Sequence, residues 1–272
     1  MAEIPKLVSS MGKADLDRIF VRGHDLNEEL LGKISFAQMV YLMLVGRMPS
    51  AEEGRMIDTM LIVLVDHGMT TGALAARMTY HSAPEALQGA VAAAILGAGS
   101  VHLGSSEYCA KMLNDALAPI RRTQGGEQLV EPPDSKETDL DAIAKNTVEK
   151  RLANKQLIPG IGHGIHTQGD PRAEKLFQVA QETKVYGRYC DLLRKIGKLA
   201  EELVGRRLPV NVTGAIGAIS MDMGLPWQMS KSFAILGRAL GGIAHVGEEV
   251  RRPIARGISD LVRKNLQYEP EK

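Results

Sequence analysis

Cysteine is scarce in this chain. There are two in 272 residues, Cys109 and Cys190, in unrelated segments and without a Cys-x-x-Cys spacing. That argues against a disulfide framework and predicts buried thiols in a reducing compartment. Aromatic residues make up only 4% of the chain, and no stretch alternates apolar and polar residues for any convincing length. An all-β fold is therefore not expected. An excess of one charge is also missing: 33 Lys and Arg stand against 32 Asp and Glu, a formal net charge of +1. Without a global field, neither nucleic acid nor a membrane surface is an expected partner. Long hydrophobic runs are lacking as well. Met60 to Val65 stops at Asp66, and Gly89 to Gly99 is small and Ala-rich, so no transmembrane segment is predicted. Met1 to Lys13 is mixed and charged, unlike a signal peptide, and the expected location is cytoplasmic. None of the seven histidines forms a His-x3-His or His-Glu-x-x-His pair, so no metal is expected.

What is present is helix. Ala, Leu, Ile, Val and Met supply the apolar content, a mix that favours helices. Leu30, Leu31, Ile34, Ala37, Tyr41 and Leu44 fall at helical spacing within Leu26 to Val45, before Gly46 and Pro49 stop the run. Further helices are predicted over 51–65, 70–80, 84–96, 105–120, 140–154, 172–183, 185–204, 214–223 and 230–250. The Ala and Gly content of 70–96 predicts close helix–helix packing. Arg121 to Asp139, with Gly125-Gly126 and Pro132-Pro133, reads as a surface loop or insertion. The architecture read from these patterns is all-α.

The segment with most chemical potential is Leu157-Ile158-Pro159-Gly160-Ile161-Gly162-His163, with Asp170-Pro171-Arg172 close behind. Glycine and proline shape a loop whose main-chain groups can face a ligand, and the loop delivers an imidazole at its end. An arginine follows nine residues later at a helix start. An anionic substrate beside an acid–base group would suit such a pair; a structural turn is the plainer alternative. His67, His102 and His163 each stand at a glycine-rich helix break. Arg238 lies in the apolar stretch Ile235 to Gly242. There it needs an anionic partner, either an internal carboxylate or a bound one. Arg251-Arg252-Pro253 reads as solvated surface or as a further charge for a site.

In order, these fragments resemble the citrate synthase superfamily over nearly the whole chain. Arg22-Gly23-His24-Asp25-Leu26, with Gly32 to Phe36, Tyr41-Leu42 and Gly46 to Pro49, resembles the family's N-terminal segment. Asp66-His67-Gly68 with Ala75-Ala76-Arg77 is similar to its "DHG…AAR" helix start. Val101-His102-Leu103-Gly104 before Glu107 resembles "PLHGxAxxE", and Pro159 to His163 with Asp170 to Ala173 resembles "GFGHxVxxxxDPRA". The short segment between Pro49 and Asp66, together with Leu236 to Gly241 and Ile243-Ala244-His245, looks like the branch of citryl-CoA lyase and the lyase module of ATP-citrate lyase. At Asn211-Val212-Thr213-Gly214 the chain departs from the pattern. The family reads Asn-Val-Asp there, and that aspartate is its proton-transfer group.

The resemblance implies two helical domains around a cleft, with residues 1–104 and 209–272 forming the large one and 105–208 the small one, in a homo-oligomer. It implies a lyase that splits citryl-CoA, or a related 3-hydroxy-3-carboxyacyl-CoA, into acetyl-CoA and an oxo acid such as oxaloacetate. No cofactor would be bound permanently; coenzyme A or acetyl-CoA would be substrate or product. His102 would donate to the thioester oxygen, His163 would bond the substrate hydroxyl or carbonyl, and Thr213 would stand at the proton-transfer position. His67, Arg172 and Arg238 would grip carboxylates, and Arg252 would reach a neighbouring subunit's site. Ile158, Pro159, Gly160, Ile161 and Gly162 would hold coenzyme A, partly through main-chain groups. Glu248 and Glu249 are candidates to replace the missing carboxylate. A condensing citrate or methylcitrate synthase, and a CoA-thioester-binding protein without catalysis, are the two alternatives.

Overall fold

A computed structural model describes residues 7–99, 103–117, 120–123, 126–129 and 139–270. Helices carry the fold, as the composition predicts. At the N-terminus, however, three short strands form an antiparallel sheet: β1 (Gly12–Ala14), β2 (Ile19–Val21) and β3 (His24–Asp25). Arg22 and Gly23, both at positive φ (50° and 86°), make the turn between β2 and β3. The helix predicted over 26–45 is split. Asp25 caps a short π-helical turn, Leu26–Leu30, and Gly32 then takes φ 72°. Ser35 starts α1 (Phe36–Val45) with a capping box to Gln38.

Helix α2 (Ala51–Ile62) begins with a second capping box, Ser50 with Glu53. It leads into α3 (Thr71–Ser82) and α4 (Leu87–Leu96). The chain continues through α5 (Ser105–Leu117), the hairpin β4 (Ile120–Thr123) and β5 (Gly126–Leu129), and α6 (Leu140–Ala153). Pro132-Pro133 lies outside the described residues. Next come α7 (Pro171–Glu182), α8 (Arg188–Val204) and α9 (Val212–Asp222). The last two helices are α10 (Ser232–Arg251) and α11 (Ala255–Asn265).

Two sets of helices frame the site. Helix α9 packs on α5, α7 and α8, and Val212 and Gly214 to Met221 are all buried. A helix apolar on every side belongs inside a core, so its N-terminus, with Asn211 and Thr213, is held on a rigid axle. On the other side α10 packs against α3 and α4, and Ala76, Ala90, Ala94 and Val246 are buried together. Here the small residues act as expected. A Cβ on Gly72 would stand 2.5 Å from the Ala94 carbonyl oxygen, and one on Gly241 would collide with the Val65 carbonyl. Backbones meet directly at these points, and α10 is thereby drawn against the segment that carries His67. Both cysteines are buried and unpaired. Burial pushes the Cys109 thiol up to about 12 and that of Cys190 higher still, so neither is a nucleophile.

Candidate functional site

Between the two helix sets lies a cavity of about 890 Å³. His67, Ile158, Pro159, Gly160, Ile161, Gly162, His163, Arg172, Thr213 and Arg238 all line it. Segments scattered from 67 to 238 in sequence thus converge. His102 lies outside the described residues. Arg252 does not line the cavity; it is exposed at the C-terminal cap of α10.

The Pro-Gly loop is built differently from the sequence expectation. Its main-chain groups are largely spent inside the protein. Gly160 O accepts from Asn211 N, Gly162 N donates to Pro209 O, and Ile161 N donates to Ile158 O. Gly162 O accepts from the Asn211 side chain. The loop is pinned along residues 209–211 because Gly160 and Gly214 meet face to face: a Cβ on Gly160, at φ 85°, would lie 2.7 Å from Gly214 Cα. The glycines here permit close backbone packing, and the pinned loop aims the next residue.

That residue is His163. Its Nδ1 accepts the backbone N–H groups of Ile165 and His166, each at 3.0 Å. An imidazole nitrogen that accepts carries no proton, so the neutral ring bears its hydrogen on Nε2. Nε2 stands 3.3 Å from Arg172 Nη2, itself a donor. Two N–H groups therefore converge on one region, an arrangement completed by an oxygen acceptor between them. Burial, with help from the charges of His166, Arg172 and His67, lowers the His163 pKa against the opposing pull of Asp170. Burial also lowers that of His67, helped by Arg172 and Arg238. Both shifts favour the neutral ring. The His163 and His166 ring centroids are 4.7 Å apart, and His67 stands 6.4 Å from the first and 6.2 Å from the second.

The two arginines are held in contrasting ways. Arg172 is tied to Asp170 through Nε and Nη2, both at 2.9 Å. Asp170 caps α7 and also accepts from Val212 N. Burial would raise the Asp170 pKa, but these donors outweigh it and hold the carboxylate ionised. Arg172 is thus part framework, with Nη1 unengaged among the described residues. Arg238 is half-buried and makes no hydrogen bond or ion pair with any described residue. Burial lowers its pKa, Arg172 adds to the effect, and Asp66 opposes it. Of the two partners considered for Arg238, the internal carboxylate is not made.

At the N-terminus of α9, Asn211 Oδ1 accepts from Gly214 N at 2.9 Å and from the Thr213 hydroxyl at 2.7 Å. Thr213 Oγ1 also lies 2.5 Å from Ser105 Oγ. Ser105 lines the cavity too, and the sequence offered no signal for it beyond its place after the glycine-rich break.

Glu248 and Glu249 do not replace the missing carboxylate. Both pair with Arg77, whose side chain is 1% exposed, and Glu249 also accepts from Ile254 N and Ala255 N to cap α11. The buried guanidinium needs them, so they are consumed. Arg77 further donates to His245 Nδ1, and His245 Nε2 reaches Asp66 Oδ1 at 3.0 Å. Asp66 and His245 both line the cavity. The signal for Asp66 was its adjacency to His67. Leu103, also in the wall, holds φ 66°, a strained conformation for a non-glycine residue and one that recurs at functional sites. Among the described residues no group of His, Cys, Asp and Glu has the arrangement of a metal site, and no helix is long and apolar enough to cross a membrane.

A two-sided helical scaffold with histidines and arginines gathered at its cleft is the architecture of citrate synthase-like proteins. The family model described as "Citrate synthase, C-terminal domain" matches residues 1–258, and the chain belongs to that family. A citrate synthase from Synechocystis sp. is 27% identical over 249 residues, 88% of this chain but 56% of that protein. The chain spans about half the length of such curated relatives. Among solved structures, the citryl-CoA lyase from Hydrogenobacter thermophilus is similar with TM-score 0.81 and 30% identity, covering 98% of this chain and 95% of that one. The ATP citrate lyase from Methanothrix soehngenii, solved with citrate and coenzyme A, shares the fold with TM-score 0.73 at 19% identity, covering 100% of this chain and 43% of that one.

Proposed function

We propose that the chain is a carbon–carbon lyase that splits citryl-CoA, or a related 3-hydroxy-3-carboxyacyl-CoA, into acetyl-CoA and an oxo acid. The observation that carries this reading is the convergence of donors: His163 Nε2–H, Arg172 and Arg238, which has no partner among the described residues, line one cavity. Retro-aldol cleavage removes the proton of a substrate hydroxyl as that oxygen becomes a carbonyl, the breaking carbon–carbon bond sends its electron pair toward the thioester, and the enolate carbon takes up a proton to give acetyl-CoA. Preorganised donors at the oxygens that gain charge supply the largest share of such catalysis. In this reading Arg238 and Arg172 hold carboxylates, and His163 bonds the oxygen that becomes the carbonyl. His67 completes that wall, and His102 serves the thioester oxygen. The likeness to the citryl-CoA lyase, at 30% identity and TM-score 0.81, supports the lyase reading. The domain division at 105 and 208, a homo-oligomer, and Arg252 acting across its interface belong to the same proposal.

Thr213 favours a second reading, a CoA-thioester-binding protein without catalysis. A threonine hydroxyl does not ionise near neutral pH and cannot act as a carboxylate does in proton transfer. Mass detection of acetyl-CoA and oxo acid from citryl-CoA and related thioesters separates the two readings. Cleavage supports the lyase. Tight CoA binding with no turnover of any thioester favours the binder, and CoA release from acetyl-CoA plus oxaloacetate points to condensation. Thr213→Asp is informative in the same assay. A gain on citryl-CoA would show that the wild type lacks its acid–base group for that substrate. A loss from a fast wild type would place threonine in a working site.

A further inference from the structure

The hydrogens around Thr213 can be assigned without ambiguity. The Asn211 amide is oriented from both ends: its Nδ2 donates to Gly162 O at 2.8 Å, and its oxygen accepts from Gly214 N. A backbone carbonyl demands the NH2 group and a backbone N–H demands the oxygen. Asn211 Oδ1 is therefore an acceptor, and Thr213 must donate its single hydroxyl hydrogen to it at 2.7 Å. With that hydrogen spent, the bond between Ser105 Oγ and Thr213 Oγ1 is supplied by the Ser105 hydrogen. The direction runs Ser105 to Thr213 to Asn211. Both residues line the cavity, and both hydroxyls have spent their hydrogens on bonds inside the protein.

We infer that Ser105 and Thr213 form an acceptor-only patch that recognises a hydrogen-bond donor on the ligand, and that the ligand class is a hydroxylated carboxylic acid or its thioester. Elsewhere in the wall Arg172, Arg238 and His163 Nε2–H donate. A carboxylate oxygen is repelled by lone pairs at 105 and 213 and attracted to the arginines, while an O–H is attracted to the hydroxyl pair. The cavity thus sorts the two ends of a hydroxy acid and fixes its orientation. An aspartate at 213 would present lone pairs as well, but with a charge that also takes up protons. The neutral pair accepts a hydrogen bond and takes no proton, which makes it a specificity element. This inference rests on the reading of the cavity as an acyl and carboxylate site, yet binding alone tests it.

The donor has two possible sources, the hydroxyl of the acid portion or an amide N–H of the coenzyme A arm. Calorimetry on the full chain with citrate, with tricarballylate (the same three carboxylates without the hydroxyl) and with coenzyme A distinguishes them. The expected result is citrate binding about tenfold more tightly than tricarballylate, the scale of one hydrogen bond to an oriented partner. Thr213→Val should erase that preference and Thr213→Ser should keep it, with coenzyme A affinity unchanged in both. Loss of coenzyme A affinity in Thr213→Val, with the two acids equal throughout, would retain the acceptor patch and assign its donor to the amide. Equal affinity for both acids together with unchanged coenzyme A affinity in Thr213→Val would overturn the inference while leaving the cavity an acyl site. If neither acid nor coenzyme A binds the wild type, the reading of the cavity fails and the inference falls with it. Should Thr213→Val fold poorly, Thr213→Ala removes the same hydroxyl and replaces it in every arm of the test.

Discussion

Arg172 and Arg238 carry the same charge into one cavity, but replacing them should have different consequences. Arg238 has no partner to abandon among the described residues, so Arg238→Gln is expected to weaken oxaloacetate or citrate binding by about 1.5–3 kcal/mol, with little change in melting temperature. Arg172→Gln strips the buried Asp170 of its ion pair, a loss on the order of 3–5 kcal/mol when one partner of a buried pair is removed. Calorimetry and thermal melts of the two variants check this, and equal melting temperatures would contradict it. Acid titration adds a sign. The Asp170 pKa is held down in the folded protein, so its contribution to stability is present above the ordinary carboxylate pKa and is lost as pH falls through the lowered one. Arg172→Gln should flatten that acid limb. The histidines behave similarly. Burial and then neighbouring cations lower the His67 and His163 pKa values, so ligand binding that needs neutral rings should persist below the usual imidazole range. In Arg238→Gln, proton NMR should find the His67 pKa moved upward; an unmoved value would show that the two groups do not interact.

At the scale of elements, much was legible in the sequence. Some helix starts showed through their capping side chains, as at Ser50 with Glu53 and at Asp170 ahead of Pro171. The break between Leu31 and Ser35 was hidden because apolar spacing runs through it, and only Gly32 marks it. The N-terminal strands, two or three residues each, are too short to alternate. Helix α11 was not among the helices expected from the sequence; what fixes its start is Glu249, six residues before Ala255. His67, His163, Arg172, Thr213 and Arg238 were legible through glycine breaks and motif order. Ser105 was not, because a serine after a glycine carries no pattern of its own. The Asp170 pairing with Arg172 and the pinning of the loop by residues 209–211 are facts of space. The loop yields a direct test. In Gly160→Ala the new methyl meets the Gly214 Cα and Cys109 Sγ, at 2.7 and 2.8 Å, and the positive φ alone costs about 1–2 kcal/mol. A melting temperature lowered by several degrees and loss of CoA affinity are expected. A variant as stable as wild type would mean that α9 and the loop can part without cost.

At the scale of the molecule, one core joins α1, α2 and α5 to α10, and the cavity lies where this body meets the Ala-rich cluster of α3, α4 and α10. Arg77 is the knot between the halves of that second cluster: it is anchored in α3 and bound to two carboxylates and a histidine of α10. Followed outward, the connections run from Asp66 in the cavity wall through His245 and Arg77 to Glu249, and from there to the first amides of α11. The far end of the chain is therefore a suspension for the cavity. A protein ended before Ile254 keeps every cavity-lining residue, yet Glu249 loses two amide partners and turns its full charge on Arg77. Citrate affinity should fall in that shortened protein, and restoring the segment as a separate peptide should recover it. Affinity untouched by the truncation would show the suspension slack. If it is taut, mutations in the tail will be felt as changes in what the cavity holds.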